Sequence, residues 1–544
     1  MRVRWLGRVN YRDALALQEG LFAHGTSDFL LMLEHHHVFT HGASADLAKN
    51  LKCDPQAVGA DLVRVNRGGD ITYHGPGQLV VYPIRSLPGK FGDASPADVT
   101  AYVCSVEQLV IDSLAELGVT AARKAGYPGV WIEPDTPRAR KICAIGVRVA
   151  RGSTPRRTMH GFALNVDPDL RYMREHIVPC GIAQWPVTSL REEGCTASLR
   201  EVADVVALLA TQRWGGTDRH DVAWEYEPDA VGMQIAERKP EWLRPRVVHG
   251  AEVLATKKML RDLRLVTVCE EAGCPNLSEC WRDGTATFMV LGERCTRACG
   301  FCLVDTRKPA APDDDEPARV AEAVQRLGLS HAVLTMVARD DLADGGFAHV
   351  ARCVDGIRRA NPDARVETLV SDGKGDDASL GALFAVRPDV FNHNIETVAR
   401  LQRTVRPSAG YARSLSVLAR ARRAGLVTKS GFMLGLGEER QEVESLLADL
   451  ACVGVSIVTI GQYLRPTREH LPVVRWAEAA EFDHYRRLGE SLGIAHVESS
   501  PLTRSSYHAK RAAGAAAGSN TSSMAATSGE VGARSVAIPV LVRR

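Results

Sequence analysis

Between residues 285 and 500 short apolar runs alternate with amphipathic stretches, and this alternation restricts the fold more than any other feature of the chain. His331-Ala-Val-Leu-Thr-Met-Val337, Val366-Glu-Thr-Leu-Val370, Val390-Phe-Asn-His-Asn394, Thr428-Lys-Ser-Gly-Phe-Met433 and Ile457-Val-Thr-Ile-Gly461 have the composition of strands. The stretches 348–359, 414–424, 441–450 and 479–492 have helical spacing and fall between or after them. A strand that returns through a helix pairs in parallel with its predecessor, so a C-terminal α/β unit is expected, either open sheet or barrel. In both, functional residues collect at the C-terminal ends of the strands.

A chain of 544 residues exceeds one ordinary core and calls for more than one domain. Residues 1–215 mix short apolar runs with turn signals and predict an α+β sheet domain. One helix is marked there by Ser95 and Asp98 in a capping-box pattern, Pro96 at its first position, and Val99, Val103, Val106, Val110 and Leu114 at helical spacing. Residues 216–245 lack periodicity and predict a linker or wrapping arm, with the boundary near 225; the second domain is assigned to 246–509. Residues 510–544, rich in Ala, Gly, Ser and Thr, predict a disordered tail. Lys and Arg total 67 against 65 for Asp and Glu, a balance that gives no field to hold a polyanion or an anionic membrane. The start lacks an apolar signal core and no apolar run approaches bilayer length, so a cytoplasmic protein with reduced cysteines is expected.

Six of the 13 cysteines, Cys269, Cys274, Cys280, Cys295, Cys299 and Cys302, fall within 34 residues. Cys295-Thr-Arg-Ala-Cys299-Gly-Phe-Cys302 has CX3CX2C spacing, which lets one loop ligate three irons of a [4Fe-4S] cube and leave the fourth open for reaction. Cys269, Cys274 and Cys280 are spaced CX4CX5C and need a fourth ligand from elsewhere. Structural zinc is disfavoured, because no histidine lies between His249 and His331 to complete Cys3His sites.

CX3CX2C at the head of a βα-repeat domain resembles the radical S-adenosylmethionine enzymes, and the upstream CX4CX5C resembles lipoyl synthase among them. The resemblance runs from Arg238 to Ala509 and includes Arg339-Asp-Asp-Leu-Ala-Asp-Gly-Gly346, Asn392-His-Asn-Ile-Glu-Thr397, Gly435-Leu-Gly-Glu438 and Arg504-Ser-Ser-Tyr-His-Ala509. It implies a partial (β/α)6 barrel with two [4Fe-4S] clusters. The Cys295, Cys299 and Cys302 cluster would chelate and reductively cleave S-adenosylmethionine. The other, held by Cys269, Cys274, Cys280 and, by the same resemblance, Ser505, would be consumed as the sulfur source. Gly345 and Gly346 would let backbone approach the cofactor, and Asn392, Asn394 and Glu396 would hold cofactor or substrate. A ferredoxin or flavodoxin is the implied reductant. Ala338, Ser371 and Gly373 depart from the aspartate, proline and phenylalanine common at those places.

In the first half, Arg67-Gly-Gly-Asp-Ile-Thr-Tyr-His-Gly-Pro-Gly-Gln78 is too rich in glycine for a helix and too constrained by Pro76 for a flexible linker. It lacks the GK[ST] ending of a nucleoside-triphosphate loop, which leaves a tight substrate-facing loop. Taken singly, Cys180 is a packing cysteine more often than a nucleophile, and Lys141 an ordinary solvated lysine. Together with Lys141-Ile-Cys-Ala-Ile-Gly146, His160-Gly-Phe-Ala-Leu-Asn-Val166 and Ile177-Val-Pro-Cys-Gly181, however, the loop resembles lipoyl/octanoyl transferases of the biotin- and lipoate-ligase-like fold, over residues 5–210. The resemblance implies Cys180 as acyl-carrying nucleophile and Lys141 as its acid–base partner. A pocket would form from Arg67, Gly68, Gly69, Thr72, Tyr73, His74, Gly75, Ala144, Ile145, Gly146, His160, Gly161 and Phe162, with His35 beside it. Backbone donors of His74–Gly77 would face the oxyanion. His37, where proline is usual, and the longer stretch 151–159 are departures.

The chain thus looks like a fusion of an octanoyltransferase with a lipoyl synthase. Its implied partners are octanoyl-acyl carrier protein, the lipoyl domains of 2-oxoacid dehydrogenases and the glycine cleavage H protein; neither nucleic acid nor membrane is expected. Rival readings are a radical enzyme fused to an ATP-dependent lipoate ligase, and an iron–sulfur storage or sensor protein with a degenerate acyl-binding domain.

Overall fold

The structure is a computed structural model. It describes residues 1–42, 45–67, 69–91, 95–150, 156–225, 239–243, 251–267, 276, 280 and 285–516. Two compact units divide the chain, the first ending at Trp224 and the second beginning at Glu225. No helix among the described residues is long and apolar enough to cross a membrane.

The first unit contains strands β1 (Arg2–Val9), β2 (Phe29–His35), β3 (Val38–His41), β4 (Asp61–Arg64), β5 (Thr72–His74), β6 (Gln78–Ile84), β7 (Ser86–Leu87), β8 (Ala122–Lys124), β9 (Tyr127–Ile132), β10 (Arg140–Val149), β11 (Arg156–Asn165) and β12 (Asp218–Arg219). They form a large sheet of order β12-β1-β2-β6-β11-β10-β9-β8 and a small one of order β4-β3-β5. Strand alternation divides the burial. Leu30 and Met32 of β2, Leu79 and Val81 of β6, and Phe162 and Leu164 of β11 share one core with helices Val99–Glu116 and Leu199–Trp214. His35 and Tyr82, at the opposite parity of β2 and β6, meet each other. His160 has the parity of Phe162, but its φ of +60° breaks the alternation, and its backbone N–H meets Gln18 of helix Tyr11–His24.

Three details differ from the sequence reading. The helix expected to begin at Pro96 begins at Val99, because Asp98 caps it by accepting from Ala101 N at 2.9 Å, while Ser95 accepts from Phe91 N instead. Of the two readings of residues 216–245, linker or wrapping arm, the first part does not follow the linker: Asp218 and Arg219 pair in parallel with β1, Val222 N donates to Trp5 O, and Trp224 stacks on Trp5 at 3.9 Å. The expected disordered tail begins with helix, since residues 509–516 are helical and Ala512, Ala513 and Ala516 pack on Val390 and Ile457. Alanine is the best helix former, and its small side chains allow close packing on a neighbour. The rest of that tail and residues 226–238 lie outside the described residues.

The second unit contains β13 (Val266–Thr267), β14 (Thr285–Val290), β15 (His331–Met336), β16 (Arg365–Leu369), β17 (Val390–Asn392), β18 (Thr428–Leu434), β19 (Ile457–Gln462) and β20 (His496–Ser499), hydrogen-bonded in that order. Strands β14 to β20 are parallel, and β13 is antiparallel to β14. Six strands, β14–β19, make the βα run and β20 adds a seventh. Phe288, Leu334, Val366 and Phe391 pack into a core shared with helices Glu316–Arg326 and Phe347–Ala360. At other register positions Glu367 is buried with Lys429, at 2.9 Å, and Asn392, at 2.9 Å.

Candidate active sites

In the first unit Cys180 occupies a one-turn segment, Pro179–Gly181, with φ +57° and ψ +19°. Neighbouring chain holds it there. Cys180 N donates to Ile71 O at 2.8 Å, Val178 N donates to Asn50 O, and Gly181 sits so close to Asp70 that a Cβ would fall 2.9 Å from its Oδ2. Asp70 is itself fixed by Asn50 Nδ2 at 2.6 Å and Ile71 N at 2.6 Å, and its carbonyl accepts from Arg67. The thiol is half-buried.

The same segment then runs to Lys141: Lys141 N donates to Pro186 O and Thr188 N to Lys141 O, each at 2.9 Å. Lys141 is buried on β10 with its ammonium 5.0 Å from the Trp131 ring centre. Gly129, at φ +120°, makes room, since a Cβ there would lie 3.1 Å from Lys141 Cε. Cys180 and Lys141 both act electrostatically on Cys143, so the three share one neighbourhood. Complete burial pushes the Cys143 thiol far above the usual range.

Arg67 binds Thr40 O at 2.9 Å and acts electrostatically on Tyr11, His74, Tyr82 and His160. Burial holds His35 down to about 3, His74 to about 4 and His160 to about 3, so all three are neutral at pH 7. His35 donates through Nδ1 to Val9 O and accepts at Nε2 from Tyr82, each at 2.8 Å. The His160 ring nitrogens are buried without a well-formed hydrogen bond, the Asn66 backbone being the polar group beside them.

Thr72, Tyr73 and His74 form β5, while Ala144, Ile145 and Gly146 of β10 pair with Ala163, Phe162 and Gly161 of β11. Gly69 has φ +91°, and a Cβ on Gly75 would collide with Tyr73 Oη at 1.9 Å. Gly68 lies outside the described residues. Of the His74–Gly77 donors expected to face an oxyanion, Gly77 N is spent on Glu34 at 2.7 Å. Sequence reasoning missed a chain of polar contacts: His74 Nδ1 donates to Gln78 Oε1 at 2.8 Å, Gln78 Nε2 to Asn165 Oδ1 at 2.9 Å, and Asn165 Nδ2 to Thr188 O at 2.8 Å. Its signal was polar residues at the ends of otherwise apolar strands, Gln78-Leu-Val-Val and Ala-Leu-Asn165.

In the second unit the cysteine loop follows β14. Thr296 N and Oγ1 both donate to Ala338 O at 2.9 Å, Gly300 N donates to Val405 O, and Cys295 N to Asp305 O. Arg297, inside the loop, pairs with Asp340 at 2.7 Å and with the fully buried Asp372 at 2.7 Å. Asp372 would rise on burial alone, but Arg297 holds its carboxyl below the usual range. Arg297 was not legible as a site residue, because its two partners arrive from later loops.

Cys295, Cys299 and Cys302 are free thiols that act on one another electrostatically. Burial raises Cys299 and carries Cys302 to about 11, an effect that a bound cation would offset by favouring the thiolates. This donor set fits an iron–sulfur cube. Cys269 and Cys274 lie outside the described residues; Cys280 is half-buried, and Asn276 between them donates to Leu502 O at 2.7 Å, which brings that segment to the 502–505 loop. Gly345 and Gly346 have φ of +61° and +87°, and a Cβ on Gly346 would lie 2.5 Å from Leu291 Cδ1. Glu396 is half-buried at φ +68° and acts electrostatically with Arg406, Cys299 and Cys302. The Asn392 amide is spent on Glu367, and Asn394 Nδ2 on Ser505 Oγ at 2.6 Å. At the departures, Ala338 serves the cysteine loop through its carbonyl, Ser371 Oγ accepts from Gly373 N, and Gly373 at φ +53° packs on Phe347.

Comparison with known proteins matches residues 10–209 to the lipoyl protein ligase A/B catalytic domain, 215–274 to the N-terminal domain of lipoyl synthase, and 289–450 to the radical SAM superfamily. Lipoyl synthase of Rubrobacter xylanophilus is 53% identical over 273 residues, which span 50% of this chain and 85% of that one. Lipoyl synthase of Chlorobaculum parvum is 50% identical over 275 residues, 50% of this chain and 94% of that one. Among solved structures, the bi-partite lipoate protein ligase of Thermoplasma acidophilum aligns at TM-score 0.34 and 19% identity, covering 41% of this chain and 87% of that one. Methylornithine synthase aligns at TM-score 0.32 and 13% identity, covering 46% and 83%. The chain therefore belongs to the lipoyl synthase family through its second unit and carries a lipoyl protein ligase A/B catalytic domain as its first, which places it in lipoate biosynthesis.

Proposed function

We propose that the first unit moves an octanoyl group from octanoyl-acyl carrier protein to a lysine of lipoyl carrier domains through a Cys180 thioester, and that the second unit places sulfur at C6 and C8 of that chain. The observation that carries the first step is the pairing of a half-buried Cys180, on a strained turn, with Lys141 on the strand that the same segment joins. As Cys180 sulfur bonds the carbonyl carbon, its proton passes to Lys141 and then to the departing carrier thiolate. The incoming lysine amine then bonds that carbon, gives its excess proton to Lys141, and releases the Cys180 thiolate. Thioester exchange onto Cys180 is nearly isoenergetic and the transfer from thioester to amide is downhill, so no nucleotide is needed.

In the second unit the two [4Fe-4S] clusters and S-adenosylmethionine, when bound, supply the hydrogen-abstracting radical and the sulfur. Cys295, Cys299 and Cys302 hold the first cluster, with Arg297 anchoring their loop to two strand-end loops. Cys269, Cys274, Cys280 and Ser505 hold the second, while Gly345, Gly346 and Glu396 border the cofactor. A ferredoxin or flavodoxin supplies electrons, and lipoyl domains of 2-oxoacid dehydrogenases and the glycine cleavage H protein are the carriers.

The test is mass analysis of a lipoyl domain incubated anaerobically with the reconstituted chain, carrying about eight irons, and octanoyl-acyl carrier protein. Octanoylation without ATP is expected, followed on adding S-adenosylmethionine and reductant by gain of two sulfurs. Octanoylation that requires free octanoate and ATP would replace the transferase reading with a ligase; absence of sulfur in the product would remove the second step.

A further inference from the structure

The side-chain amide of Asn394 stands between the two sulfur sites of the second unit. Its Nδ2 donates to Ser505 Oγ at 2.6 Å, and Glu396 is its other hydrogen-bonding neighbour. Glu396 in turn acts electrostatically on Cys299 and Cys302. On the far side, Asn276, from the segment that contains Cys274 and Cys280, donates to Leu502 O, three residues before Ser505. Packing fixes the amide: a Cβ on Gly431 would lie 2.9 Å from Asn394 Oδ1 and 2.4 Å from Thr459 Oγ1. Asn394 Oδ1 is buried and has no hydrogen-bond partner among the described residues, so the NH2 end makes the polar contacts.

We propose that Asn394 is a positioning residue for the auxiliary iron site: by donating to Ser505 Oγ, it aims that oxygen at the iron which three cysteines leave unligated and recovers it when the iron departs. This rests on the reading of Ser505 as fourth ligand. An N–H directed at one lone pair stabilises negative charge on the oxygen and leaves the O–H as the bond to be exchanged. Ser505 would hold the iron through Oγ with its proton released to solvent, and Asn394 would retain that oxygen with or without the iron. A direct contact to the adenosyl cofactor would need the NH2, which Ser505 occupies, or Oδ1, which faces Gly431.

The experiment uses the full chain, reconstituted anaerobically, and measures the rate at which a ferrous chelator removes iron together with the Mössbauer signature of the auxiliary cluster. Asn394→Ala is expected to speed loss of one iron about tenfold, the worth of one hydrogen bond, and to shift the signal of the serine-ligated iron. Ser505→Ala should speed that loss at least as much, and the double variant no more than Ser505→Ala. Ser505→Cys should restore iron retention in the Asn394→Ala background, because a thiolate needs no such donor; it also keeps the test open if Asn394→Ala alone loads poorly. If Asn394→Ala releases iron at the parent rate while Ser505→Ala is labile, the positioning role is overturned and the ligand reading stands. If Ser505→Ala itself is indistinguishable from the parent, the ligand reading falls. Weaker binding of S-adenosylmethionine to Asn394→Ala with unchanged iron release would make Asn394 a cofactor contact and overturn the inference.

Discussion

The two units solve the placement of reactive sulfur in opposite ways. Cys295, Cys299 and Cys302 lie on one short loop, and the fold's task is to anchor that loop, which Arg297 does through Asp340 and Asp372. Cys180 is a single sulfur whose partner Lys141 comes from a different strand, joined to it by the 186–188 segment. The units differ equally in what they bury. The first hides His35, His74 and His160 uncharged, whereas the second hides charges in pairs, Glu367 with Lys429 and Asp372 with Arg297. A ligand loop tolerates a charged interior because its ions are compensated. A histidine buried without a charged partner is held neutral.

The sharpest way to break this comparison is to remove one sulfur from each unit. Cys295→Ala should abolish cleavage of S-adenosylmethionine and leave octanoyl transfer intact, and Cys180→Ala should do the reverse with a pre-octanoylated carrier. Paired assays on the same preparations decide it. Loss of both activities in a folded single variant would show that the two sites depend on each other. Next in size is Lys141→Ala, expected to slow octanoyl transfer by ~10²–10⁴-fold, the usual worth of acid–base help. A rate within a few-fold of the parent would move that role to another group.

What could be read beforehand follows the same division. The cysteine spacing and the strand–helix alternation were legible because each is local: spacing within eight residues, or periodicity within one element. Strands expected at His331, Val366, Val390, Thr428 and Ile457 begin within a residue of those positions. Contacts that depend on register were not legible. That Asn392, expected as a cofactor contact beside Asn394, also donates through Nδ2 to Glu367 was not legible, because the strands that bring Glu367 and Lys429 beside it are set by the whole sheet. Nor could Gly129 be seen to clear space for Lys141, or Asp218 to reach Arg4, without the pairing of β9 with β10 and of β12 with β1.

The buried histidines give a smaller, pH-dependent contrast. Their folded values of about 3, 4 and 3 lie below the ordinary 6.5, so the unfolded chain binds protons that the folded first unit refuses. Stability of that unit must therefore rise with pH between about 4 and 6.5, each histidine costing on the order of 2 kcal/mol by pH 5. The second unit has His393, at about 4, in that window, while Glu367, held at about 2 against its burial by Lys429, contributes stability above the ordinary carboxylate range that is lost only as pH falls towards 2. Calorimetry of the full chain at pH 7 and pH 5 should lower the melting of the first unit more than that of the second. His35→Gln should flatten the slope of the first unit. Equal slopes for both units would remove the contrast in what they bury.

The smallest expected effect concerns residues 218–224, which the sequence places in a linker and the structure joins to the first unit. Trp224 stacks on Trp5 with centres 3.9 Å apart and planes 7° from parallel, and Asp218 meets both Arg2 and the buried Arg4. Aromatic stacking adds ~0.5–1.5 kcal/mol beyond burial of area. Asp218 has a different weight: Arg4 is 2% exposed, so removing its carboxylate partner leaves a guanidinium with little access to water. Asp218→Ala should therefore destabilise the first unit more than Trp224→Ala, and each should lower its melting without moving that of the second. If residues 216–224 behaved as a linker, neither substitution would shift either transition. A shift of the second transition alone would assign the segment to the other unit, in keeping with the lipoyl synthase match that begins at residue 215. Because β12 lies beside β1 as an edge strand, residues 218–224 belong to the first unit, and any linker begins no earlier than Glu225.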